Sequence, residues 1–278
     1  IGGGGSDEAT HNLTDTLGGG KVTALEIDRA LQNLYVGTDT GRVYRYNIRN
    51  RQNPELLETL DATGNSRIPV TALGFLLGDR SLVVGDEAGS VSVWFEVADP
   101  DSPGGKVFKK VHQLPPFALP VSEIVPSSRD RGFIASDSGG NINLYHATSE
   151  QKLMQLKTDG PPVMNLSFAP KGNGILAVDG AGKLYDWDVS NPHPETSFKT
   201  LFGKVWYEGY SKPEYVWQST GGTDDFEPKI SLTPLAFGTL KGALYALLFA
   251  IPLSIFGAIC VSQFMHPALR NTIKPVVE

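Results

Sequence analysis

Three aspartates recur at one place in a repeated turn: Asp86, Asp137 and Asp179 each stand three residues before a glycine, and Thr38 holds that place in an earlier turn. A ring of carboxylates would suit a hard cation, which takes oxygen ligands. The competing chemistry is local, because Asp accepts hydrogen bonds from its own backbone in tight turns. Turn capping is the expected role, and no metal is expected. The five histidines, His11, His112, His146, His193 and His266, form no close pair of metal-ligand spacing. The run GAGK at 180–183 has part of a phosphate loop, but that pattern needs glycine where Ala177 stands and Ser or Thr where Leu184 stands. There is no G-x-S-x-G elbow, and the lone cysteine, Cys260, lies inside an apolar run. With no visible nucleophile, the chain is expected not to be an enzyme and to carry no cofactor. One cysteine also excludes an intrachain disulfide framework.

The elements that carry these turns are β-strands. The 31 glycines and 19 prolines in 278 residues point to many turns rather than a helical bundle. A formal net charge of −6 argues against a nucleic-acid partner, since neutralising phosphates takes concentrated Lys and Arg. Four segments fall in register, VTALEID from Val22, VTALGFL from Val70, VSEIVPS from Val121 and VMNLSFA from Val163. Nineteen residues after each valine comes a glycine: Gly41, Gly89, Gly140 and Gly182. Two residues further on stands an aliphatic side chain (Val43, Val91, Ile142, Leu184), and five after the glycine an aromatic one (Tyr46, Trp94, Tyr145, Trp187). These offsets hold while the spacing between units varies as 48, 51 and 42 residues, so insertions have fallen between units.

Each unit reads as a strand, then a hairpin, then an outer strand such as LLETL (56–60), KKVHQL (109–114) or KLMQL (152–156). Four strands in 40–50 residues is the size of a β-propeller blade, whose faces are buried only by stacking on neighbours. The units resemble the WD-repeat propellers. Trp187–Asp188 is the nearest match to the family dipeptide, with Tyr46–Asn47, Trp94–Phe95 and Tyr145–His146 at the other three places and no Gly-His pair opening a unit. The expected fold class is all-β, a WD-like propeller with four blades visible. HNLTDTL (11–17) reads as the outer strand of a preceding blade and TSFKTL (196–201) as that of the fourth. The array is therefore expected to belong to a larger ring with blades before Ile1; a four-bladed ring closed by residues 11–17 is the alternative.

From Gly242 to Met265 the chain runs 24 residues without a charge. As a helix this spans roughly 36 Å, enough to cross a hydrocarbon core of about 30 Å. A transmembrane helix is expected over 242–265. Small residues at Gly242, Ala246, Ala250, Ser254, Gly257 and Ala258 would let other helices approach, and Pro252 would bend the span. Lys229 and Lys241 precede it and Arg270 and Lys274 follow, so charge alone does not orient it. Between blades and span, residues 201–241 form an aromatic-rich linker. Trp206, Tyr207, Tyr210, Tyr215 and Trp217 suit either the headgroup zone or the flank of the last blade.

The run from Leu201 to Glu278, with LFGKVWYEGY, DDFEPKISLTPL, FGTLKGALYALLFAIPLS, SQFMHPALR and IKPVVE, resembles the permease subunit of bacterial phosphate ABC transporters, of the PstC type. Some members of that family carry a large periplasmic insertion between their first two membrane helices. The resemblance implies that residues 1–200 are such an insertion, with blades starting near 22, 70, 121 and 163. It makes 242–265 the second membrane helix and 266–278 the start of a cytoplasmic loop or of the next permease segment. It places the protein in the bacterial inner membrane with the propeller on the periplasmic side. It also implies a second permease subunit, a cytoplasmic ATPase subunit and a periplasmic phosphate-binding protein as partners, besides membrane lipid. The alternative is a membrane-anchored propeller scaffold without transport activity. A propeller enzyme would need a polar, metal-binding cluster that the blades do not supply.

Overall fold

The computed structural model describes residues 10–64, 67–102, 104–223 and 225–277. Fifteen of its strands form four antiparallel sheets laid side by side, each built in chain order from the inside outward. The first blade holds β1 (Val22–Ile27), β2 (Asn33–Thr38), β3 (Arg42–Asn47) and β4 (Glu55–Asp61). The second holds β5 (Val70–Phe75), β6 (Ser81–Asp86), β7 (Val91–Ala98) and β8 (Lys106–Leu114). The third holds β9 (Val121–Pro126), β10 (Gly132–Asp137), β11 (Asn141–His146) and β12 (Gln151–Lys157). The fourth has three strands, β13 (Val163–Phe168), β14 (Gly174–Asp179) and β15 (Leu184–Asp188). The chain is thus an all-β, four-blade propeller arrangement followed by a helix.

The sequence columns are the parts that repeat in space. Gly41, Gly89, Gly140 and Gly182 all take φ near +80°, the left-handed region that closes a three-residue hairpin loop without a Cβ penalty. The aliphatic column supplies the seams between blades: Val43, Val91 and Ile142 are fully buried. Val83, Val91 and Val93 of blade 2 pack with Val121, Phe133 and Ala135 of blade 3, and Ile134, Ile142 and Leu144 of blade 3 pack with Val163, Leu166 and Ile175 of blade 4. The aromatic column sits beside a β-bulge in blades 1 to 3, where the register slips at Arg45/Tyr46, Val93/Trp94 and Leu144/Tyr145. That bulge twists the outer strand away and aims the ring into the blade.

The array is open. The inner strands pack in sequence, β1 on β5, β5 on β9 and β9 on β13, and among the described residues no comparable contact joins β13 to β1. Consequently Val22, Leu25 and Ile27 on β1 are exposed, as are Met164, Leu176 and Leu184 on blade 4. Leu184 occupies the column that is wholly buried in the other three blades.

Two expected outer strands are not strands. Residues 11–17 are irregular and end in a 3-10 turn (Thr14–Leu17) that lies on blade 1, where Leu17 packs with Val36, Tyr44 and Tyr46 and its carbonyl accepts from the Tyr44 hydroxyl at 2.9 Å. They neither extend another blade nor close a ring. Residues 196–201 enter helix α1 (Phe198–Phe202), because Ser197 and Thr200 form a capping box that satisfies the first free backbone donors. Among the described residues blade 4 therefore has three strands.

The membrane-length helix also starts earlier than its charge-free run. Helix α2 covers Thr233–Ile259, with Pro234 in its first turn, and continues as a π-helical turn (Cys260–Phe264). The last residues of the expected linker, 233–241, are thus already helix. Gly242, Ala246, Pro252 and Gly257 lie within α2, and Met265 is the extended residue that ends the span. Residues 267–277 form helix α3 (Pro267–Val277).

Candidate functional site

The aspartate column does what turn chemistry predicts. Asp86 Oδ1 accepts from the N–H groups of Ala88 (3.0 Å) and Ser90 (2.8 Å). Asp137 Oδ1 accepts from Gly139 and Asn141, both at 2.9 Å, and Asp179 Oδ1 from Ala181 and Lys183, both at 2.9 Å. Each carboxylate is committed to its own hairpin. Thr38 serves its turn differently, through its hydroxyl to the Arg42 carbonyl at 3.0 Å.

The polar chemistry concentrates instead where the chain leaves the propeller. After α1, the segment 203–230 folds back over blades 2 and 3 and returns through a short pair, β16 (Trp217–Gln218) with β17 (Lys229–Ile230). Trp206 sets its indole edge-on to Phe95 and donates to the Tyr210 carbonyl at 2.8 Å; Tyr207 is buried. Trp206 therefore packs the flank of blade 2, while Tyr215 and Trp217 are exposed. Lys229 stands over the rings of Phe226 (5.0 Å), Tyr207 (5.7 Å) and Tyr210 (5.9 Å). Burial among these rings lowers its pKa.

Arg131, in the turn between β9 and β10 of blade 3, is the centre of this junction. Its guanidinium donates to Glu208 Oε2 at 2.7 Å, to the Asp225 carbonyl at 3.0 Å and to the Leu77 carbonyl of blade 2. Both Arg131 and Glu208 side chains are buried, and the other Glu208 oxygen accepts from Ser81 at 2.5 Å. Thr148 donates to Glu227, whose carboxyl pKa is raised by burial and by the neighbouring Glu208. Between these groups and His112 lies a void of about 10 Å³, large enough for roughly one water. A second node joins α1: His112 Nδ1 lies 2.9 Å from Glu150 Oε1, and Lys199 reaches Glu150 Oε2 at 2.5 Å. Burial would raise the Glu150 carboxyl, but these two bonds win and hold it below its ordinary value.

These groups hold one another, and what the arrangement does is fix the exit segment to two blades. From there the chain passes directly into α2: Leu232 N–H donates to the Leu201 carbonyl at 2.8 Å, and Thr233 Oγ1 to the Phe202 carbonyl at 3.3 Å. Helix α2 itself has no buried residue, and nothing in the structure meets a Cβ added at Gly242 or Gly257. Thr233–Phe264 is long and apolar enough to cross a membrane. The junction residues carried no signal in sequence, because Arg131 and Glu208 are 77 positions apart.

No protein-family model matches the chain, and no curated protein matches it. Among solved structures it is similar to the computationally designed Ika4 protein, at 22% identity and a TM-score of 0.47, over 61% of this chain and 92% of that one. It is also similar to the computationally designed Ika8 protein, at 21% identity and a TM-score of 0.48, over 60% of this chain and 46% of that one.

Proposed function

We propose that the chain is part of a permease subunit of an ATP-driven phosphate importer in the bacterial inner membrane, with the propeller as a periplasmic appendage. The observation that carries its membrane half is α2, a long, largely apolar helix with no buried residue. Leu240, Leu244, Phe249, Leu253 and Phe256 are each more than 60% exposed. A soluble monomer rarely shows a contiguous apolar patch above a few hundred Å², so this surface fits lipid and neighbouring helices. The phosphate and transporter half rests on the resemblance of residues 201–278 to the PstC-type permeases. In that reading ATP is hydrolysed by a separate cytoplasmic subunit, phosphate arrives from a periplasmic binding protein, and a second permease subunit completes the pathway. The buried Arg131–Glu208 junction suits this role, because it makes the propeller and the head of α2 move together. The exposed faces of blades 1 and 4 fit a larger propeller ring.

The second reading is an anchored interaction scaffold without transport, favoured by those same open blade faces. Purification of the tagged protein from its native membrane in mild detergent separates the two. Co-purifying ATPase and second permease subunits, with ATP-dependent phosphate uptake after reconstitution, is the expected result. Recovery without any ATPase partner, and vesicles inert toward phosphate, would overturn the importer in favour of the scaffold.

A further inference from the structure

Helix α1 holds two phenylalanines away from the protein. Phe198 is 82% exposed and Phe202 48%, and their rings touch each other at 5.0 Å between centroids. One helical turn apart, they share a face. They cannot turn inward, because the opposite side of α1 is pinned: Thr200 is buried in the capping box, and Lys199 is tied to Glu150. Leaving such rings in water forgoes the gain that burying each would bring. The fold thus builds a rigid platform for two apolar rings.

Its position says what covers them. The carbonyls of Leu201 and Phe202 accept from Leu232 and Thr233, so α1 lies beside the first turn of α2. With the hydrocarbon core, about 30 Å thick, set over residues 237–257 rather than from the charge-free start at Gly242, Lys241 lies just inside its edge. Lys241 would then extend its ammonium upward to the headgroups. Thr233 stands about 6 Å above that core at 1.5 Å per residue, within the headgroup layer, and α1 stands at the same level. Exposed Leu235 and Phe237 continue the apolar surface from α2.

We infer that α1 is a membrane seat: Phe198 and Phe202 enter the interfacial layer of the bilayer that α2 crosses and fix the height of the propeller above it. The occupant is a phospholipid surface, and the inference rests on the reading that α2 spans a bilayer. In a Cys260→Ser background, single substitutions Phe198→Cys, Ala250→Cys and Met164→Cys are labelled with the dye NBD. The full chain is then placed in phosphatidylcholine vesicles. Labels at positions 198 and 250 are expected to be blue-shifted and shielded from iodide. A headgroup nitroxide is expected to quench position 198 more than 250, while position 164 answers to iodide alone. Iodide quenching at 198 as strong as at 164, with 250 still shielded, overturns the seat and leaves the spanning helix intact. Shielding at 198 from both iodide and nitroxide means a protein partner, and equally overturns it. Iodide quenching at 250 removes the spanning reading itself.

Discussion

Arg131 and Glu208 meet at 2.7 Å with both side chains buried, and they join blade 3 to the segment that leads into α2. Two charges taken out of water stay in balance only as a pair; removing one partner of a buried pair costs about 3–5 kcal/mol. Glu208→Gln and Arg131→Met are each expected to lower stability by that order in detergent-solubilised chain. The double variant Arg131→Met/Glu208→Leu is expected to recover much of the loss, because no uncompensated charge remains. Denaturant titrations of the four proteins measure this, and purely additive losses would show that the pair is not coupled.

A second expectation concerns pH. His146 is buried on blade 3 beside Ser149, and burial pushes its pKa down to about 4, with Arg131 and His112 adding to the effect and Asp130 and Glu195 opposing it. An unfolded histidine titrates near 6.5. Between those values the unfolded chain binds a proton that the folded one refuses, so this contribution is complete above about pH 6.5 and is lost as pH falls toward 4. The loss is on the order of 3 kcal/mol. The raised Glu227 carboxyl acts with the opposite sign, since the folded state holds that proton more tightly. Comparing wild type with His146→Gln isolates the histidine: the stability gap between them should tilt across pH 4–6.5 and flatten above it. A gap independent of pH would remove the histidine from the argument.

The glycine column gives a graded test of the open end. A Cβ on Gly89 would sit 2.5 Å from the Phe117 carbonyl oxygen and 2.7 Å from that of Leu119, whereas one on Gly182 would meet nothing within 4 Å. Both glycines have φ near +80°. Gly182→Ala should therefore cost only the left-handed backbone penalty of about 1–2 kcal/mol. Gly89→Ala should cost about 1–3 kcal/mol more, from overpacking. Thermal unfolding of the two variants ranks them, and equal losses would contradict the open fourth blade.

The repeat was legible because a blade imposes fixed offsets: the left-handed glycine, the buried aliphatic and the bulge aromatic each answer a local demand. The turn aspartates were legible for the same reason. Residues 196–201 misled, because TSFKTL stands where the repeat puts an outer strand, while its Ser-x-x-Thr spacing caps a helix and Phe198 and Leu201 lie three apart, as on a helix face. Likewise Pro234 marks a helix start that the charge-free run beginning at Gly242 obscured. The Arg131–Glu208 junction has no local signature, since each residue is an ordinary charge until folding brings together positions 77 apart. Trp206 and Tyr207 against Tyr215 and Trp217 show the same limit: composition fixes the kind of residue, and only the return through β16 and β17 decides which side faces the blades.

The last expectation follows from the uncovered blade faces. Val22, Leu25 and Ile27 of blade 1 occupy the columns that Val70, Leu73 and Phe75 fill in blade 2, where all three are buried against blade 1. At the other end Leu176 and Leu184 match Ile134 and Ile142, which are fully buried by blade 4. Each face thus keeps the apolar residues of a blade seam without the neighbouring blade, and each such side chain would gain about 1.5–3 kcal/mol from full burial. If these faces are seams of a larger ring, Leu25→Cys and Leu184→Cys, each placed in a Cys260→Ser background, should react slowly with a polyethylene-glycol maleimide while the protein sits in its native membrane. The same positions should react fast in the isolated 278-residue chain. Equal, rapid modification in both settings would mean that the faces stay open, and the larger ring would have to be abandoned.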